Sequence, residues 1–211
     1  MLKMTGTKLE LMTDVDMFQF IEKGMRGGIS YIANRYGEEN NKYMKEYNPE
    51  KLGKYIHYLD ANNVYGWATS QCLSTGGFKW LTPKQLDKIM SKTILPDNEE
   101  GYIFEVYLDY SQELHEMHND YPLAAENMKV TPDMLSPYFK NIQEQFGITI
   151  GQVAKLIPTL SSQKNYVLHY RNLQLYLSLG LKLDKVHRVL EFDQSPWLGK
   201  YINFNTEASG C

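Results

Sequence analysis

Asp60 is the residue of this chain whose type and setting most suggest chemistry. It sits in YLDANNVYGWA, Tyr58 to Ala68. Apolar and aromatic residues run up to a single acid, and the segment then turns to Asn-Asn, an aromatic and a glycine. Tyr55 to Asp60 reads as a strand, which would make Asp60 a strand-end carboxylate. A strand end is a rigid mount, and a carboxylate is a hard oxygen ligand of the kind that magnesium takes. The plain alternative is a strand-end acid with a local hydrogen-bond role.

Other groups compete less well. His115-Glu116-Met117-His118 invites a zinc reading, but the histidines are three apart with the acid between them and no third ligand is evident, so solvated polarity is the expectation. Lys182, Lys185, His187 and Arg188 form a basic cluster that reads as a solvated face. Glu105 and Asp109 share one strand face, with no reason to lie near Asp60. Trp67 reads as a core aromatic.

These residues need a frame. The chain has 211 residues, 43% of them hydrophobic, enough for a sizeable core. Its 22 Lys and Arg against 25 Asp and Glu give a net charge of −3, unlike the basic footprint of an autonomous nucleic-acid binder. Cys72 and Cys211 are far apart in sequence, which suits a reducing compartment better than a disulfide framework. No long apolar run suggests a signal peptide or a membrane span.

Along the chain, Thr13 reads as a helix cap, with Met17, Phe20 and Ile21 on one face and Gly24 as the stop. Residues 37 to 54 are polar and loop-like. Gly76-Gly77 marks a turn before Phe78 and Trp80. Thr82-Pro83-Lys84-Gln85 starts a helix whose stripe is Leu86, Ile89 and Met90. Gly101 to Tyr110 is the cleanest strand, with Tyr102, Phe104, Val106 and Leu108 on one face. Tyr166 to Tyr170 reads as a strand. A helix follows with Leu173, Tyr176 and Leu177 on its stripe and Gly180 as its stop. Leu183 to Phe192 closes the set as a strand. The expected class is α+β, mainly an antiparallel sheet with helices on one face.

The motif and its flanks resemble the palm of the family B DNA polymerases. YLDANNVYGWA resembles their motif A, whose general form is DxxSLYP, and most closely the organellar and viral protein-primed branch, including polymerases of large self-synthesising DNA transposons. Met25-Arg26-Gly27-Gly28 resembles the glycine turn between the exonuclease and polymerase halves. HNDYPLAAE (His118 to Glu126), NYVLHYRNLQLYLSLGLKLDKVHRVLEF (Asn165 to Phe192) and SPWLGKYINFNTE (Ser195 to Glu207) resemble the same branch. The resemblance makes 1–211 a partial polymerase domain. It places the glycine turn at 24–30, motif A at 55–70, a protein-primed insertion within 80–165, and the run from palm to fingers at 165–207.

The resemblance implies template-directed DNA synthesis from deoxynucleoside triphosphates. Such transfer is mostly positioning and charge stabilisation, with two divalent ions ~3.5–4 Å apart clamping the attacking and leaving oxygens. It makes Asp60 a catalytic metal ligand for Mg2+, with the Val64 carbonyl beside it. Asn63, Val64 and Tyr65 become the nucleotide-binding residues, with Tyr65 under the deoxyribose. Arg26, Gly27 and Gly28 become template contacts. Template-primer DNA and a terminal protein are the implied partners, with no membrane. The implied location is intracellular, and nuclear for a nuclear transposon copy. Asn63 stands where many relatives have serine, Gly66 where many have proline, and Met25 where many have tyrosine.

No string of the form KxxxNSxYG or YxDTDS occurs in the sequence. The fingers lysine and the second catalytic aspartate are therefore not supplied, and exonuclease, fingers and thumb are not represented. The expectation is a chain inactive by itself. The alternative is a non-catalytic transposon remnant, decayed or co-opted as a binding module.

Overall fold

The computed structural model describes residues 1–90, 94–95 and 97–208, and of Met90 only its place in a helix. In order, the elements are α1 (Leu2–Thr5), α2 (Val15–Gly24), α3 (Val64–Ser70), β1 (Leu73–Trp80), α4 (Pro83–Met90), β2 (Glu100–Asp109) and α5 (His115–His118). There follow β3 (Glu126–Met128), α6 (Pro137–Phe146), β4 (Lys155–Ile157), β5 (Gln163–His169), α7 (Tyr170–Ser178), β6 (Lys182–Ser195) and α8 (Gly199–Ala208). Four strands form an antiparallel sheet in the order β1-β6-β2-β5. The fold is α+β. Between β2 and β5 the chain leaves this sheet and builds a small hairpin, β3 with β4, around α6.

The alternation of β2 organises the core. Tyr102, Phe104, Val106 and Leu108 are all buried on one face. There they meet Tyr166 and Leu168 of β5, Val189 of β6, Tyr170 and Leu173 of α7, and Ile89 of α4. Each such side chain contributes about 1.5–3 kcal/mol by leaving water. Ile103 points the other way, where Phe20 of α2 sits on Val167 and Leu190 with Phe78 and Trp80 around it. Helices α4 and α7 thus share one face of the sheet, and α2 covers part of the other.

Open strand edges are templates for unwanted pairing. Here both are occupied. Glu10 donates its backbone amide to the Thr75 carbonyl of β1 at 2.8 Å, and its carboxylate accepts from the Gly77 amide. On the far side, Arg26 donates to the Val167 carbonyl of β5.

Several local expectations shift. The cap of α2 is Asp14, not Thr13. Its carboxylate accepts from the amides of Asp16 and Met17 at 2.9 and 3.0 Å, satisfying two orphan donors and opposing the helix dipole. Asp14→Ala is expected to lower stability by about 1 kcal/mol in a denaturant titration, and Thr13→Ala to leave it unchanged. Gly76 and Gly77 make no turn but lie inside β1, at a register shift, with φ of +152° and +67°. A Cβ at Gly77 would come within 2.3 Å of the Asp193 carboxylate. Thr82 does open α4, its amide donating to the Gln85 side chain at 2.9 Å. The side chain of Met90 and all of Cys211 lie outside the described residues.

The largest difference concerns Tyr55–Asp60, which is not a strand. Strand formation requires a paired neighbour, and none of the described strands takes this segment. Tyr58 and Leu59 are accordingly 94% and 88% exposed. The preceding polar stretch is a loop tied by Asn40, which bridges to Lys54 and exchanges hydrogen bonds with Asn48.

Candidate functional site

The residues of YLDANNVYGWA precede β1, and most of them are exposed. Asp60 is exposed in extended chain, and its carboxylate has no hydrogen-bond or ion-pair partner among the described residues. Asn63 takes the left-handed conformation, φ +54°, immediately before α3. Asparagine tolerates this region better than most side chains. Its amide folds over the first turn: a Cβ at residue 66 would lie 2.2 Å from Asn63 Oδ1, so a side chain there would displace that amide. Val64 opens α3, which places its carbonyl in that helix's hydrogen-bond ladder. Tyr65 is 89% exposed, and Trp67 is exposed rather than in the core. What α3 does touch is α8.

The second predicted group, Arg26-Gly27-Gly28, lies elsewhere. No hydrogen bond, ion pair or ring contact links it to residues 58–65 among the described residues. The Arg26 guanidinium is 2.6 Å from the Val167 carbonyl and 2.8 Å from a Glu126 carboxylate oxygen of β3. It also covers the ring of Tyr166 at 3.9 Å. The cation ties the glycine loop to β3 and β5. Gly27 and Gly28, by contrast, are open: a Cβ on either would meet nothing within 4 Å. Backbone of that kind can be approached closely by a strand of nucleic acid.

Three secondary groups also resolve. His118 is buried, not solvated. The Tyr110 hydroxyl accepts from the Leu123 amide and is hydrogen-bonded to His118 Nδ1 at 2.7 Å. Among the described residues no group of three or more His, Cys, Asp or Glu is placed to hold a metal ion. Arg188 does not join a solvated basic face. It donates to Glu105 at 2.8 Å and stacks over Phe20 and Trp80. Burial pushes the Glu105 carboxyl up, but Arg188 and Lys23 outweigh it and hold it below the usual range. Asp109 accepts from Ser162 Oγ at 2.9 Å. Neither acid meets Asp60.

Sequence reasoning missed one feature, a half-open cavity of about 710 Å³ beside the glycine loop. Its walls come from the loop, from residues 120–125 and from α7. The block HNDYPLAAE supplies the middle wall, and Ala124 in it has φ +53°, an uncommon conformation for a residue with a Cβ.

No family model matches the chain, and no curated protein or solved structure matches it. Among the described residues no helix is long and apolar enough to cross a membrane.

Proposed function

We propose that this chain is the palm-bearing segment of a DNA-directed DNA polymerase of the protein-primed family B type, from a transposon-borne copy, with Asp60 as one of two catalytic acids. The observation that carries this reading is order: YLDANNVYGWA, HNDYPLAAE, NYVLHYRNLQLYLSLGLKLDKVHRVLEF and SPWLGKYINFNTE follow one another in the sequence. The geometry supports it in kind. The third block is the contiguous β5-α7-β6 unit, the fourth contains α8, and α8 meets the helix that motif A begins. Asp60, Asn63 and Tyr65 are all on one short exposed stretch, open to a nucleotide and a metal. The excursion between β2 and β5 is where a terminal protein or template contact of the insertion belongs.

The residues present do not make a magnesium site by themselves. Magnesium usually takes one or two carboxylates together with phosphate oxygens in near-octahedral geometry. Asp60 offers one carboxylate, no second acid stands with it among the described residues, and the Val64 carbonyl is directed along a helix. The polymerase reading needs a second aspartate and a lysine for the triphosphate, and no string of either kind occurs in these 211 residues. The 211-residue chain alone is therefore expected to show no primer extension. Isothermal titration with Mn2+ is expected to give no saturable, stoichiometric binding, and Asp60→Ala to leave the unfolding midpoint unchanged.

The deciding test is the transcript beyond the codon for Cys211. A frame running on into KxxxNSxYG and YxDTDS supports the polymerase, and joining those residues to this chain should give synthesis that Asp60→Ala abolishes. A transcript with neither string overturns it. One observation favours the rival reading, a non-catalytic remnant: residues 55–60 have no strand partner, and the Asp60 carboxylate is unengaged. The same transcript separates the two. Nuclear location follows for a copy in a nuclear genome.

A further inference from the structure

We propose that the cavity beside Arg26 and Gly27 seats one unpaired nucleobase, with the sugar-phosphate chain lying outside across Gly27 and Gly28; the choice of nucleic acid as occupant rests on the polymerase reading. Four features of the cavity converge on this. Its volume, about 710 Å³, is in the range of small-molecule sites and larger than a base needs. Tyr31, Tyr121 and Tyr176 line it, from three different segments. Aromatic side chains take bases on their faces with little regard to sequence, since every base has such a face. Tyr121 is 78% exposed at the rim, and Tyr31 is held by its hydroxyl donating to the Asp120 carbonyl.

Charge decides which part of a nucleotide enters. Arg26 is the one Lys or Arg lining the cavity among the described residues, and Asp120 is the one acid. The Arg26 cation is already engaged by Glu126, the Val167 carbonyl and the Tyr166 ring. A phosphate would find an acid and no available cation, so the uncharged planar base is the part that fits. Asn172, exposed on α7, adds an amide that both donates and accepts at a base edge. The left-handed Ala124 on the opposite wall is the kind of backbone outlier that collects at binding sites. The phosphodiester then needs a surface it can approach, and the backbone of Gly27 and Gly28 has nothing within 4 Å of a built Cβ.

The test uses fluorescence anisotropy with the 211-residue chain and two labelled probes: a short oligothymidylate, and an abasic oligomer of the same length. Both carry the same phosphates, and only one carries bases. The oligothymidylate should bind about tenfold or more tighter than the abasic oligomer. Tyr121→Ala and Gly27→Phe should each reduce it to the abasic level without moving the unfolding midpoint. Tyr43→Ala, at an exposed tyrosine outside the cavity, should leave binding intact. Equal binding of the two probes overturns the proposal in favour of phosphate contact alone. It is also overturned by failure of the oligothymidylate to bind, or by binding that both cavity variants retain. If neither probe binds and a tyrosine-containing peptide does, the cavity is a peptide site.

Discussion

Arg26→Met is expected to destabilise the chain by about 3 kcal/mol, which for a domain of this size corresponds to a fall of roughly 6–12 °C in Tm. The side chain is only 12% exposed and its partner Glu126 only 29%, so the pair is shielded from most solvent screening. Methionine keeps much of the volume but removes every donor. Glu126 then loses its cation, the Val167 carbonyl loses a donor at 2.6 Å, and the Tyr166 ring loses its cover. Leaving a partly buried carboxylate and a strand carbonyl unpaired costs more than the pair contributes when intact. The loss also releases a tether, because Arg26 joins the glycine loop, the β3-β4 hairpin and the edge of β5. Arg26→Lys should recover only part of the loss, since an ammonium cannot reach both acceptors in a fork and does not stack as a guanidinium does. A residue whose sole task is to meet a template phosphate predicts the opposite result, weaker DNA binding with an unchanged Tm. Thermal unfolding of Arg26→Met at wild-type Tm would remove the structural role described here.

That contrast shows what the sequence could and could not convey. β2, α4 and α7 were legible because their signals are local. Strict alternation over Tyr102–Leu108, a cap with proline behind it at Thr82–Pro83, and a stripe closed by Gly180 each depend on near neighbours alone. Tyr55–Asp60 has an equally good local pattern and failed, because a strand also needs a partner, and the pattern says nothing about whether one is present. The solvated readings of His118 and Arg188 failed for a related reason. Polar residues read as solvated in a sequence, and it takes Tyr110 or Glu105, on another element, to engage them. Asp60, Asn63 and Tyr65 were legible as a group because they are contiguous, and they do share one exposed corner. The cavity was not legible, because its four tyrosines, Tyr31, Tyr121, Tyr166 and Tyr176, come from segments spread over most of the chain. The one hint was that HNDYPLAAE combines aromatic, proline and small residues where a plain loop would be more polar.

Lowering the pH from about 6.5 to about 4 is expected to remove up to about 3 kcal/mol of stability through His169 alone. Burial, reinforced by the nearby Arg171 charge, depresses this imidazole from its ordinary 6.5 to about 4. The geometry demands the neutral ring independently. His169 caps α7, its Nδ1 accepting the Arg171 amide at 3.4 Å, which a protonated nitrogen cannot do. The ring also packs between Tyr170 and Phe192, with centroids at 4.5 and 6.0 Å, and the positive end of a helix is a poor place for a cation. In the unfolded chain the same imidazole takes up a proton near pH 6.5. Between the two values only the unfolded state binds it, so stability is full above about 6.5, declines as pH falls, and levels off below about 4. Glu105 also contributes to acid sensitivity, because its carboxyl is held low, but that loss begins only as pH falls through the ordinary carboxylate value of 4.5, at the foot of the His169 window. The two windows are therefore distinguishable. His169→Asn retains a capping side chain and cannot titrate. Its unfolding free energy, measured by denaturant at intervals from pH 7 to 4, should stay nearly flat where the wild type falls. Parallel curves for the two proteins would mean that His169 titrates alike in both states and that its burial does not govern the acid limb.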